Sequence, residues 1–543
     1  MGGEAGHERR VRSIRAWVVV ALLGAAGSAG CTCNDQESLG GISMASVGPI
    51  VWSACPVVTG GEGQGAACAE ITLPVDWRAA SGATITFFVK RLAGTAATRR
   101  QLWLLAGGPG NAGATFEGLA QRLSSHDPTL DVYLPDHRGT GRSSQLLCPG
   151  EPEKSPKSIA EWQACAAALQ ERWGPQLGAF DITNAARDVG AVIARVREAG
   201  QEVHVFGESY GSLWAQRYLQ LFPAQATSVT LDSLCQTSLC SHVTRDARND
   251  RVGREVLALC AADPFCAGKL GPDPAARLTE LLVELEADAC PALVDLGLDR
   301  RGLRSRFADF LESFTLRPLI PALVYRGLRC APGDVAAFES LVAHLDGPQE
   351  GAPSAQARRL RSRALGMNIL LSEMVQRELP SEAELEAEQA GALFSFDIGP
   401  YYRALYEVWP RYPRDEYAEQ YPSTRIPMLL LNGTLDPIAS IDIAQEVASH
   451  YRKPHQTFVP IERAVHGTLV GSPTTAPPHT PCGLTLFRSF LSEVKTPVDT
   501  SCVAEVQPLD FRGTPELALK VLGVPDLWED DGASQGGSSG SPQ

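Results

Sequence analysis

This 543-residue chain is short of positive charge: 48 Lys and Arg face 62 Asp and Glu, a formal net charge of −14. A surface of that sign repels phosphate backbones and argues against nucleic-acid binding. Long apolar runs are lacking too, since the stretch Ala16 to Leu23 is too short to span a bilayer. No segment recurs at a constant period, so repeat architectures drop out. No CxxC is matched by a second CxxC or a HxxxH, so a structural zinc site is not expected, and neither is any other metal or cofactor. What is there suits a globular protein with a large core: 44% hydrophobic and 20% charged residues, with 9 Trp, 11 Tyr and 17 Phe. The length allows three or four domains at the usual size, although α/β folds often run past 200 residues as one.

The N-terminus has the order of a secretory signal: Arg9, Arg10, Arg12 and Arg15, then the apolar stretch from Ala16, then small residues up to Gly30. Ser28-Ala29-Gly30-Cys31 resembles the lipobox of bacterial lipoproteins, with Ser28 where Leu is usual. Two outcomes stay open, lipidation of Cys31 with attachment to a membrane or plain cleavage nearby. Either way the protein is expected outside the cytoplasm: secreted, periplasmic or lipid-anchored at the envelope.

Export makes the 14 cysteines intelligible, because thiols in an oxidising compartment pair. Setting aside Cys31 and Cys33 leaves an even number, and Cys55 with Cys68, Cys148 with Cys165, Cys260 with Cys266, and Cys482 with Cys502 lie close in sequence. Disulfides are the expected state, although spacing alone does not fix their connectivity.

Along the chain, a signal over 1–30 and a Gly/Ser-rich tether over 31–50 precede strand-type runs that alternate with helical patterns. The strands expected are Ala83–Val89, Gln101–Leu105, Asp131–Pro135, Val203–Phe206, Ser228–Leu231, Met428–Leu431 and Thr457–Pro460. Such alternation implies an α/β fold, a mainly parallel sheet with helices on both faces. The rhythm breaks over 235–410, which is charge-rich and helical without a strand run and reads as a large helical cap inserted in the core, whose two parts are 51–234 and 411–510. The remainder, 511–543, reads as a C-terminal extension, disordered from about 530.

Gly207-Glu208-Ser209-Tyr210-Gly211 directly follows one expected strand and opens an expected helix. In that context G-x-S-x-G is a nucleophile elbow, in which small flanking residues allow the sharp turn that raises a serine hydroxyl above the sheet. Gly107-Gly108-Pro109-Gly110 ends the neighbouring strand. Acyl transfer needs N–H donors aimed at a developing oxyanion, and because Pro109 has none, the expected donors are Gly108 or Gly107 together with Tyr210. The hydroxyl also needs a histidine to take its proton and a carboxylate to orient that histidine, in the chain order Ser, acid, His. Asp436 stands just past one strand and His466 a short loop beyond the next, so Ser209, Asp436 and His466 form the expected triad.

These motifs, with Asp136-His137-Arg138-Gly139-Thr140-Gly141-Arg142-Ser143, Leu231-Asp232, Asn432 to Asp436 and His466-Gly467, resemble the tripeptidyl-aminopeptidase-like branch of the prolyl aminopeptidase family of serine α/β hydrolases. The resemblance spans roughly Trp52 to Cys502, and Cys482 with Cys502 looks like that branch's C-terminal region. It implies an α/β-hydrolase fold, peptide substrates with free N-termini, and acidic residues that hold the substrate ammonium. Leu371-Ser372-Glu373 resembles a Cys-x-Glu segment of the family's cap, with Leu371 where the Cys would stand, so the resemblance makes Glu373 an amine anchor. Glu208, beside the nucleophile, is a second candidate.

Three functions follow in order. The first is an exported serine aminopeptidase and the second a carboxylic ester hydrolase using the same triad. The third is a non-catalytic binding protein, against which the intact triad speaks. Ser209 stands where dehalogenases and epoxide hydrolases need an aspartate, which removes both. No obligate protein partner is evident.

Overall fold

The computed structural model describes residues 47–79, 82–347 and 355–529. The expected signal, tether, Cys31 and the stretch from Asp530 to Gln543 lie, wholly or for the most part, outside them.

Nine strands occur among the described residues: β1 (Ser53–Cys55), β2 (Ala66–Pro74), β3 (Thr84–Leu92), β4 (Arg100–Leu105), β5 (Leu130–Pro135), β6 (Val203–Glu208), β7 (Ser228–Asp232), β8 (Met428–Gly433) and β9 (Gln456–Ile461). They form one sheet in the order β1-β2-β3-β5-β4-β6-β7-β8-β9, antiparallel from β1 to the β3/β5 pair and parallel thereafter. β6 to β8 are apolar because helices cover both faces. Alternate β4 residues show this: Trp103 and Leu105 join a core with the helices Ile182–Val196 and Tyr210–Leu221, while Leu102 and Leu104 join one with Glu117–His126 and Cys482–Ser492. The chain has an α/β-hydrolase fold, as its sequence pattern implied.

The register sets the site. Leu105 pairs with Gly207, Glu208 with Asp232, Asp232 with Leu431 and Gly433 with Ile461, so the carboxyl ends of five successive strands finish in line. Ligands of open α/β sheets sit at such ends.

Between β7 and β8 the described residues are helical, from Arg245–Ala262 to Gly399–Val408. These helices bury a core of their own around Val256, Leu281, Phe307 and Leu323. The same core takes in Phe511, Val521 and Trp528, which follow the last strand, so the helix Pro515–Leu522 packs into the insertion. Six disulfides staple the described residues: the four sequence-near pairs, plus Cys235–Cys240 and Cys290–Cys330. That number fits an exported or extracellular protein. No helix among the described residues is long and apolar enough to cross a membrane.

Candidate active site

β6 delivers the serine. Ser209 adopts φ 58° and ψ −126°, a left-handed conformation that costs a non-glycine residue on the order of 1–3 kcal/mol and persists only where its surroundings hold it. Its N–H donates to the Asp232 carbonyl at 2.9 Å, and its own carbonyl accepts from Ser212 N at 2.9 Å and Ser212 Oγ at 2.6 Å. The flanking glycines are steric necessities. A Cβ on Gly207 would sit 2.1 Å from the Gly211 carbonyl oxygen, and one on Gly211 2.1 Å from that of Leu105. The Ser209 hydroxyl makes no hydrogen bond among the described residues.

Asp436 lies fully buried just past β8. One carboxylate oxygen accepts from Ile438 N at 2.8 Å and Ala439 N at 2.9 Å, and the other from His466 Nδ1–H at 2.8 Å. An acceptor-only partner assigns the proton to Nδ1 and leaves the Nε2 lone pair for a hydroxyl. Burial works against a charged imidazole, but Asp436, aided by Glu208 and Glu312, overrides it and lifts the His466 pKa to about 9. The ordinary value near 6.5 that sequence alone implies is therefore displaced.

The glycine loop packs on the nucleophile. A Cβ on Gly107 would come within 3.0 Å of Ser209 Cβ and 3.6 Å of its Oγ. Gly108 has φ 117°, open to glycine. Neither glycine N–H, nor that of Tyr210 at the start of its helix, finds an acceptor among the described residues. The insertion grips this loop: Ser362 N donates to the Gly110 carbonyl at 2.9 Å, and a Cβ on Gly110 would lie 2.2 Å from the Ser362 carbonyl. The Tyr210 phenol is anchored away from the hydroxyl, 2.9 Å from His137 Nε2 in a buried pair.

Two carboxylates were expected to face a substrate amine, and only one is free. Glu373 is buried, with Oε1 accepting from Ile182 N at 3.2 Å and Tyr412 OH at 2.9 Å, and Oε2 from Arg217 Nη2 at 3.2 Å. Arg217 in turn reaches Thr183 and Asp415. This corrects the expectation for Glu373: its charge is already compensated and its lone pairs are engaged. Glu208 is half-buried beside the nucleophile and has no hydrogen-bond partner among the described residues. Its carboxylate lies over Gly467, where a Cβ would be 3.3 Å from Oε2. Burial, then the nearby Asp232, raises its pKa to about 7.

Sequence reasoning named Asp232 only as part of the Leu231-Asp232 motif, without a role, and missed Ser233 and Glu312. Asp232, at the end of β7, accepts from Thr468 N at 3.1 Å, Thr468 Oγ1 at 2.9 Å and Leu469 N at 3.1 Å. Ser233 Oγ accepts from Gly467 N at 2.8 Å. Together they clamp the segment that carries His466. A carboxylate closing the apolar strand Val229-Thr230-Leu231 next to the elbow strand was the available signal. Glu312 approaches His466 from the insertion, paired with Arg245, and no sequence pattern announces it. Among the described residues no group of three or more His, Cys, Asp or Glu could hold a metal ion.

Residues 102–253 match the family described as the alpha/beta hydrolase fold. Two tripeptidyl aminopeptidases, from Streptomyces lividans and Streptomyces coelicolor, are each 29% identical over 193 residues, 32% of this chain and 36% and 35% of theirs. The match thus spans about a third of either relative's length. Among solved structures, a thermophilic esterase from Thermogutta terrifontis is 13% identical with a TM-score of 0.30, covering 79% of this chain and 99% of its own. The chain resembles the tripeptidyl-aminopeptidase-like α/β hydrolases.

Proposed function

We propose that this α/β-hydrolase-fold protein is an exported serine hydrolase that releases residues or short peptides from free N-termini through an acyl-enzyme on Ser209. The observation that carries the reading is the 2.8 Å bond from His466 Nδ1 to Asp436, at the sheet end where Ser209 is held in its strained turn.

The steps follow from the residues. His466 Nε2 takes the Ser209 proton as Oγ attacks the carbonyl carbon, and Asp436 stabilises the imidazolium formed. The oxyanion lies between the N–H of Tyr210 and that of Gly107 or Gly108, which face no protein acceptor and so need no reorganisation. The imidazolium then protonates the departing amine, and water repeats the sequence to free the acyl group. The helical insertion, which grips the glycine loop, acts as the cap over this site.

Support for peptides comes from the relatives' named activity and from Glu208, whose unpaired carboxylate beside the nucleophile suits a substrate ammonium. The paired state of Glu373 favours a second reading, a carboxylic ester hydrolase, because it removes one of two amine anchors. Tripeptidyl amides with free and with blocked amines, run beside short acyl esters on the unaltered protein and on Ser209→Ala, separate the two. The aminopeptidase reading expects cleavage of the free-amine amides alone among the peptides. Cleavage of esters only would establish the second reading, and undiminished turnover by Ser209→Ala would remove both.

A further inference from the structure

We propose that the cavity beside the glycine loop is a carboxylate-binding subsite for the substrate, built around Arg361 and Arg363, a proposal that rests on Ser209 being the acyl acceptor.

The cavity has a volume of about 680 Å³, and its lining includes Asn111, Thr115, Glu151, Arg361 and Arg363. Asn111 belongs to the donor loop itself: a Cβ on Gly108 would lie 3.1 Å from Asn111 N and 3.4 Å from its Cγ. Asn111 thus places one wall of the cavity on the loop whose Gly107 packs on Ser209, and a substrate extending from the reacting carbonyl along that loop would meet it.

Its charge is net positive, with Arg358, Arg359, Arg361 and Arg363 set against Glu151 and Glu153. Arg361 and Arg363 are exposed residues, and their guanidiniums make no ion pair or hydrogen bond among the described residues. Neighbouring Arg359 is paired with Glu153 at 3.8 Å. Glu151 also lines the cavity, but its oxygens accept from Cys148 N at 2.8 Å and from the backbone N–H of Arg363 at 3.1 Å. Although Arg361 as a whole is exposed, its guanidinium is held below the usual range, first by partial desolvation and then by Arg363, a repulsion that an anion between them would relieve. In a chain of net charge −14, which repels acidic peptides at long range, two unpaired guanidiniums in one cavity form a local counter-field. Planar forks of N–H donors match a carboxylate's two oxygens better than any neutral group, and the pair is charge-assisted. The carboxylate is either a peptide's C-terminus or an acidic side chain.

The test compares pentaalanine, its C-terminal amide, and that amide with one Ala replaced by Asp, on the unaltered protein and on Arg361→Gln/Arg363→Gln. The unaltered protein is expected to show a KM about tenfold lower for a carboxylate-bearing peptide than for the neutral amide, and whether the terminus or the Asp confers this identifies the source. The double variant is expected to level the series while its kcat/KM on the neutral amide stays within twofold of the original. Absence of a carboxylate preference, its survival in the double variant, or an equal loss on the neutral amide overturns the subsite. Should only esters be hydrolysed, p-nitrophenyl hemisuccinate against p-nitrophenyl butyrate gives the same comparison, so failure of the peptidase reading stays distinct. Without any turnover, calorimetric binding of pentaalanine and its amide to both proteins decides.

Discussion

The backbone N–H of Ser209 donates to the carbonyl of Asp232 at 2.9 Å, while the Asp232 carboxylate takes the N–H groups of Thr468 and Leu469 just beyond His466. One residue thus fixes the nucleophile through its main chain and the base through its side chain. Displacements of about 1 Å in a catalytic array can cost roughly 100-fold. Asp232→Asn keeps the main-chain bond but puts an NH₂ where one acceptor oxygen stood. Its kcat on a short ester is expected to fall roughly 10- to 100-fold with little change in KM and an unaltered circular dichroism spectrum. Thr468→Val, which removes only the hydroxyl bond, should lose less. A kcat at the original level in Asp232→Asn would show that the His466 segment holds itself.

The pH profile follows from His466. The base must be neutral to accept a proton, and its pKa is lifted to about 9, so kcat/KM for a neutral ester should climb through pH 7 and 8 and reach half its plateau near pH 9. Glu208 contributes to that lift. Glu208→Gln removes a negative charge beside the imidazolium, lowers the His466 pKa and moves the limb to lower pH, so ester turnover at pH 7 should rise. Stability runs the other way. The folded pKa of His466 exceeds the unfolded value of about 6.5, so its contribution is complete below that pH and is lost as pH rises through about 9. A limb centred near 6.5 in the unaltered protein would mean that Asp436 does not hold the imidazolium.

The seven expected strands are all present, each within three residues at either end, because buried strands are written as short runs rich in apolar, β-branched and aromatic residues. β1 and β2 were not readable. Ser53–Cys55 is only three residues long, and Ala66–Pro74 opens on the small residues Ala66, Ala67, Cys68 and Ala69 and brings large apolar side chains to the core only at Ile71 and Leu73. The expected order Ser209, Asp436, His466 could be written down because strand ends are ordered along the chain, and the structure joins the last two by a hydrogen bond at 2.8 Å. Glu373 could not, because whether a carboxylate is free depends on Arg217, 156 residues away, and on Tyr412. The docking of Val521 and Trp528 into the insertion has the same character: apolar residues near a terminus signal burial but not their partner.

The Cys482–Cys502 disulfide supports the site from behind. Cys482 opens the helix Cys482–Ser492, its N–H donates to the Ser472 carbonyl at 2.8 Å, and a Cβ on Gly483 would sit 2.4 Å from the carbonyl oxygen of Thr468. The loop of about 20 residues it closes is worth about 3 kcal/mol by chain entropy. Cys482→Ala/Cys502→Ala should therefore lower the denaturant midpoint, and activity should be lost at lower denaturant than bulk secondary structure. Peptide mapping that finds both thiols free in the non-reduced protein would refute the pairing.

The two acidic residues first considered for the substrate amine should separate in a single experiment. Glu373 and Arg217 are a buried pair, and removing one member of such a pair typically costs 3 to 5 kcal/mol because the other charge is left without its partner. Glu373→Gln keeps the shape and an acceptor for Tyr412 but leaves Asp415, at 3.4 Å, as the remaining carboxylate paired with the Arg217 charge, so the loss should fall toward or below the lower end of that range. It should lower the melting temperature and reduce peptide and ester turnover by the same factor, since it acts through the fold. Glu208 has no partner to strand, so Glu208→Gln should leave the melting temperature near its original value. It should instead raise KM for peptides with a free amine by about tenfold, at a pH above about 7 where the native carboxylate is charged, and leave ester KM unchanged. The reverse outcome, a selective KM effect from Glu373→Gln, would require the ammonium to displace Arg217 from a saturated carboxylate.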